Sequence, residues 1–148
     1  LIAAADSWAL IADRNHLKSL YELEKVISAL YRFDTDQYFR GFDVNHFQEN
    51  FGIKSSTQIG NRFKYKSAEN PISFTTDIRI ARGFGSNVVS STLSECKLLH
   101  FTRELEYLIC KRRNIALETQ KEVILLPPYE IELILIERNE NKPFFTLW

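Results

Sequence analysis

The C-terminal third of the chain constrains the fold most. Glu122 to Leu126 is an apolar run, Val-Ile-Leu-Leu after the glutamate, stopped by Pro127-Pro128. Then Ile131, Leu133 and Leu135 alternate with Glu130, Glu132 and other residues as far as Glu137. Side chains two apart on a strand share a face, so the second run reads as a half-buried strand. Strands need partners for their backbone groups, so a sheet is required. Shorter β-rich runs supply candidates: Tyr38 to Phe42, Ile72 to Thr76 after Pro71, Val88-Val89, Lys97 to Phe101, and an edge strand over Pro143 to Trp148.

The N-terminal part has a different period. Leu20, Leu23, Ile27 and Leu30 follow the three-and-four spacing of a buried helix stripe, with Leu17, Val26 and Tyr31 beside it. Asn15 is placed to cap this helix, and Asp34-Thr35-Asp36 ends it. A shorter helix is expected over Ser7 to Ala12, and a helical turn over Asn45 to Asn50, closed by Gly52. Lys54 to Asn70 reads as a polar loop. Asp77 is set to cap a segment from Ile78 to Phe84, broken by Gly83 and Gly85. Arg103 to Arg113 reads as a helix with Leu105, Leu108 and Ile109 on one side. A helical lead-in followed by many short strands without βαβ alternation predicts an α+β fold with two packed, mostly antiparallel sheets.

Composition narrows the class. At 148 residues the chain is one domain's worth, and 45% hydrophobic content is too high for a disordered chain. Nineteen Lys and Arg balance nineteen Asp and Glu, which removes the basic excess of an indiscriminate nucleic-acid binder. No apolar run approaches the length of a membrane helix, so no membrane partner is expected. Leu1 to Ala5 is apolar but lacks a basic region before it, unlike a signal peptide. The chain begins at Leu and contains no Met, as a mature fragment or one domain of a longer protein would, and residues 1–148 read as a single unit. Cys96 and Cys110 lack CxxC spacing, and His16, His46 and His100 are scattered, so no metal site is expected. The two cysteines leave a single bridge open and the compartment undetermined.

Three segments carry candidate chemistry. Arg40 and Gly41 lie in an aromatic strand; an arginine there is costly to bury unless it meets an anion, and the glycine lets a ligand approach the backbone. The bland alternative is an arginine pointing outward from an edge. Ser73 and Thr75 share a strand face and could orient a carboxylate or bind a ribose, or simply form a polar face. Glu122 stands at the mouth of the most apolar strand, with Gln120 on the loop before it; such a charge run is otherwise a solvated turn.

In order and spacing, Arg40-Gly41, Ser73-Phe74-Thr75 and Gln120-Lys121-Glu122-Val123, running into Pro127-Pro128, resemble the mono-ADP-ribosyltransferase family. More narrowly, they resemble its Arg, Ser-Thr-Ser, Glu branch of toxins and ectoenzymes. The resemblance spans Tyr38 to Leu135. It implies an ADP-ribosyltransferase-like fold and an enzyme that uses NAD as co-substrate, without metal, releasing nicotinamide and moving ADP-ribose to a macromolecule. Arg40 is then the contact to an NAD phosphate, with Gly41 beside it. Ser73 orients the catalytic Glu122, Thr75 is the outer member of the motif, and Phe74 departs from the usual middle Thr. Phe84 matches a position that stacks on nicotinamide, with a core Phe at the helix end as the alternative; Arg79 and Arg82 are equal candidates for phosphate.

The resemblance makes Gln120 the acceptor-reading residue. An amide can match an amide acceptor but cannot serve as a base, which favours Asn or Gln over Arg. Glu118, if it took that role, would favour arginine. The expected acceptor is a protein, with nucleic acid open but less favoured, and Lys111-Arg112-Arg113 is a solvated helix end or a contact to it. A toxin or effector role implies a secreted, delivered or cytoplasmic location and a neutralising partner protein. The competing readings are an NAD glycohydrolase and a catalytically silent binding module.

Overall fold

The structure, a computed structural model, describes residues 17–43, 57–113 and 121–138. The expected helix over Ser7 to Ala12, the Asn15 cap, the turn over Asn45 to Asn50, the acceptor-reading residues Glu118 and Gln120, and the strand over Pro143 to Trp148 lie outside the described residues. Within them the fold is α+β. In chain order the elements are α1 (Leu17–Leu30), β1 (Tyr38–Phe42), β2 (Arg62–Ser67), β3 (Ile72–Thr75), α2 (Ile78–Arg82), β4 (Asn87–Ser91), β5 (Leu98–His100), α3 (Arg103–Arg113), β6 (Glu122–Leu125) and β7 (Tyr129–Arg138). No helix among the described residues is long and apolar enough to cross a membrane.

The strands form one antiparallel sheet in the order β2-β7-β4-β1-β3-β6-β5, where two sheets were expected. The join between its halves is thin. β1 and β3 share one register pair, Phe39 with Thr75, whereas β1 and β4 share five and β3 and β6 share four. The sheet also curls. Tyr38 Oη and His100 Nε2 lie 3.0 Å apart although β3 and β6 stand between their strands. Three strand spacings of about 4.8 Å separate β1 from β5 in a flat sheet, so that contact requires strong curvature.

Two apolar clusters fill the two faces. Tyr38, Phe42, Phe74, Val89, Val123, Leu125, Leu133 and Leu135 belong to one. Leu20, Leu23 and Ile27 of α1 and Leu105 and Ile109 of α3 join Leu99, Ile124 and Leu126 in the other. β6 is therefore buried on both faces, which explains its unbroken apolar run; β7 buries Ile131, Leu133 and Leu135 and leaves Glu130 and Glu132 exposed.

Three local expectations are corrected. The stretch read as a loop from Lys54 to Asn70 contains β2, paired with β7 from Arg62–Ile134 to Ser67–Tyr129. Phe63 and Tyr65 pack against the core while Arg62, Lys64 and Lys66 face solvent, so the lysines that make the segment look loop-like mark an edge strand. The α1 stripe ends at Ile27, because Leu30 is 71% exposed and the helix stops there. On α3, Leu105 and Ile109 are buried but Leu108 is 45% exposed, since the contact is narrower than the apolar spacing implies.

Asp77 caps α2 as expected, accepting a hydrogen bond from the Arg79 backbone N–H. The helix is short, ending at Arg82 with Gly83 as its C-cap. Cys96 and Cys110 are free thiols.

Candidate functional site

Strand register brings two of the candidate segments together. Thr75 of β3 lies directly opposite Glu122 of β6, and Ser73 lies opposite Ile124. Residues opposite one another in an antiparallel pair share a face, as do residues two apart. Ser73, Thr75 and Glu122 therefore stand on one face of the β3–β6 pair, with Glu122 at the strand end and half-buried. Phe74 points the other way and is buried in the core, so the departure at this position leaves the hydroxyl-bearing face intact.

The backbone entering β6 is held from two sides. Lys121, immediately before Glu122, has a φ of 46°, in the left-handed region that a side chain of this kind rarely adopts. Its carbonyl accepts from the Thr76 N–H at 3.3 Å, and its Nζ lies 3.3 Å from Asp77 Oδ2. Asp77 also pairs with Arg79 at 3.0 Å, and the Thr75 hydroxyl accepts from the Asp77 N–H. The Arg79 side-chain hydrogen bond is the main cause that holds the Asp77 carboxyl well below the usual carboxylate range, and Lys121 adds to it. The cap of α2 thus fixes the approach to Glu122.

Arg40 sits differently from its expectation. Its register partner on β4 is Val89, and it shares its strand face with Tyr38 and Phe42, whose side chains enter the core. Its Nη1 donates to the Ser73 carbonyl at 2.7 Å, across the thin β1–β3 join. Its Nε is buried without a hydrogen-bond partner. Burial lowers the guanidinium pKa, while Tyr65, Glu122 and Tyr129 favour its charge. The outward-pointing surface arginine is thereby excluded. Arg40 ties β1 to β3 and lies within electrostatic reach of Glu122.

Gly41 is explained by packing rather than by ligand approach. A Cβ at this position would lie 1.7 Å from the Ala81 carbonyl oxygen, so α2 occupies the space that the missing side chain leaves. Phe84 is 61% exposed just past α2, which corrects its alternative as a core residue. Arg79 and Arg82, both candidates for phosphate, are paired with Asp77 and Glu137, the latter with a 2.8 Å contact from Arg82 Nε. Lys111 and Arg112 are exposed at the end of α3.

A cavity of about 270 Å³ opens beside Glu122. Phe33, Thr35, Thr76, His100, Phe101, Arg103, Glu106 and Lys121 complete its lining, and Arg40 is not among them. The sequence had given Phe33 no role and His100 only a surface or packing role. In the structure their rings stack in parallel, with centroids 3.8 Å apart and planes 5° apart. Burial pushes the His100 pKa down to about 4, opposed by a hydrogen bond that the ring donates to the Leu98 backbone, so the imidazole is neutral near pH 7. No local pattern marks these two residues; they meet where the segment after α1 passes β5, against whose Leu99 that helix packs. Among the described residues no group of three or more His, Cys, Asp or Glu could hold a metal ion.

A scan against protein-family models finds none that matches the chain, and searches of curated proteins and of solved structures likewise return no match.

Proposed function

We propose that the chain is an NAD-dependent mono-ADP-ribosyltransferase domain, acting as a toxin or effector on a macromolecule, with protein favoured as acceptor. The observation that carries this reading is the β3–β6 register, with the Ser73 and Thr75 hydroxyl positions on the same face as Glu122 at the edge of a cavity. In the reaction the bond between the nicotinamide nitrogen and ribose C1′ breaks, and its electron pair leaves with neutral nicotinamide. Positive charge develops on the ribose, and a fixed carboxylate close to it stabilises that charge. The acceptor atom then bonds to C1′ and releases a proton.

Glu122 supplies the carboxylate and Ser73 positions it. Thr75 lines the same face, and the exposed Phe84 and Arg40 complete the set carried over from the resemblance, with Gly41 beside Arg40 serving the packing of α2. Arg40 serves that set from the sheet join, through its hold on β3 and its charge near Glu122. Gln120 before the glutamate favours an amide-bearing acceptor.

Incubation with NAD labelled in the adenylate portion, in the presence of a cell lysate, tests the reading. Release of nicotinamide with label on macromolecules is expected, and its loss by at least a hundredfold in Glu122→Gln, with an unchanged melting transition. Near-wild-type transfer by that variant sinks the assignment. Nicotinamide release without macromolecular label identifies a glycohydrolase, and failure of the folded protein to consume NAD identifies a silent binding module. Protease or nuclease treatment of the labelled product distinguishes protein from nucleic-acid acceptors.

A further inference from the structure

The proposed reaction leaves one proton without a destination. The acceptor atom loses it on bonding to ribose C1′, and a positioned base for such a proton contributes roughly a hundredfold or more in rate. Gln120 carries an amide and cannot take it. Glu122 must stay ionised beside the ribose, where its charge is needed. The base therefore has to come from elsewhere around the cavity that Glu122 lines.

The other polar side chains lining that cavity are Thr35, Thr76, His100, Arg103, Glu106 and Lys121. Arg103 and Lys121 are donors without a lone pair to offer, and the threonine hydroxyls are too weakly basic. His100 is the usual choice for such a task, but its ring is engaged twice. It donates to the Leu98 backbone, and its Nε2 meets the Tyr38 hydroxyl at 3.0 Å. Burial weakens it further as a base, with a pKa of about 4. Glu106 remains.

The position of Glu106 is fixed relative to Glu122. The Phe101 N–H donates to the Glu122 carbonyl at 2.8 Å, so the chain entering α3 is tied to the backbone of that glutamate. The Thr102 hydroxyl then accepts from the Leu105 N–H at 3.2 Å, and the Thr102 carbonyl accepts from the Glu106 N–H at 2.9 Å. Leu105, next to Glu106, is buried in the cluster that α3 shares with α1. Glu106 is itself only 7% exposed and yet lines the cavity. Two carboxylates from different elements thus border one cavity, as in glycoside hydrolysis, where one of a carboxyl pair activates the incoming nucleophile.

We propose that Glu106 is the general base of the transfer, taking the proton from the acceptor atom as that atom bonds to ribose C1′. The inference rests on the transferase reading for the reaction it serves. The glycosidic electron pair leaves with nicotinamide, the lone pair of the acceptor forms the new bond, and the acceptor proton passes to a Glu106 carboxylate oxygen and on to solvent. Glu122 keeps its charge against the ribose throughout.

Azide tests this, because it is an anionic nucleophile with no proton to lose. Glu106→Ala leaves room for the anion, and Glu106→Gln keeps the shape of the side chain. In the lysate assay with labelled NAD, each should lose macromolecular labelling at least a hundredfold, and thermal melts establish which of them fold. Added azide should restore nicotinamide release in a folded variant at least tenfold and yield ADP-ribosyl azide, read by mass spectrometry. It should not rescue Glu122→Gln, whose defect lies in the charge on the ribose. Near-wild-type labelling by either folded variant, or a loss that azide leaves uncorrected, overturns the base and leaves the transferase standing. A wild-type chain that consumes no NAD with any acceptor removes the transferase, and the base falls with it.

Discussion

At the scale of single residues, His100 joins stability to the candidate site. Its pKa is about 4 in the folded chain against an ordinary value of 6.5, with burial as the main cause. Between these values the unfolded chain binds more protons than the folded one, so stability rises with pH across that window. The contribution is fully present above about pH 6.5, declines as pH falls and is gone below about pH 4. Its expected size, reduced by solvent screening of a ring that is not wholly enclosed, is on the order of 2 kcal/mol, read by denaturant titration at several pH values. His100→Gln should flatten that part of the profile; an unchanged slope would mean that His100 titrates normally.

Spacing alone made the shared face of Ser73 and Thr75 legible, because residues two apart on a strand take the same side. Residue identity misjudged Gly41, where the neighbour at 1.7 Å from an added Cβ is a helix carbonyl from forty residues on. Gly41→Ala should accordingly destabilise the fold severely, by about 3 kcal/mol or more, visible as a lowered melting transition even with no ligand present.

At the scale of elements, amphipathic spacing located α1 but overstated its buried face. Leu20 is fully buried between the helices and the sheet, whereas Leu30 lies past the contact. Leu20→Ala should cost about 3 kcal/mol, since it leaves a cavity that the packed neighbours cannot close. Leu30→Ala should change stability by no more than about 0.5 kcal/mol. Equal effects in equilibrium unfolding would mean that the spacing reports the contact after all. β2 was missed for the complementary reason. Its Phe63 and Tyr65 alternate with cations, which a search for apolar runs passes over, and only its pairing with β7 discloses a strand.

At the scale of the whole molecule, the sheet is continuous but unequally joined. β4 and β7 are paired over four register positions and both bury side chains in the core, while β1 and β3 meet at one. Local opening follows the density of protected backbone bonds, so the β1–β3 join should open before the centre of the β4–β7 pair. Amide hydrogen exchange measures this: Thr75 and Phe39 should exchange faster than Val89 and Ile134. Uniform protection across these four would show that the side-chain bond from Arg40 to the Ser73 carbonyl closes the join as firmly as a ladder does. Such an opening would shift β3 relative to β1 and with it the hydroxyl face opposite Glu122.

The sequence by itself determined the α+β class, the strands β6 and β7, the helices α1 and α3, and the shared face of Ser73 and Thr75. Each of these rests on local periodicity, which the side-chain geometry of strands and helices dictates within a few residues. Only the tertiary structure decided that Thr75 stands opposite Glu122, that Arg40 spans a thin join, and that Phe33 and His100 wall the cavity beside that glutamate. Strand order and the packing of α1 on the sheet create these neighbours between residues far apart in the chain, and periodicity within one segment carries no record of which segment lies beside it.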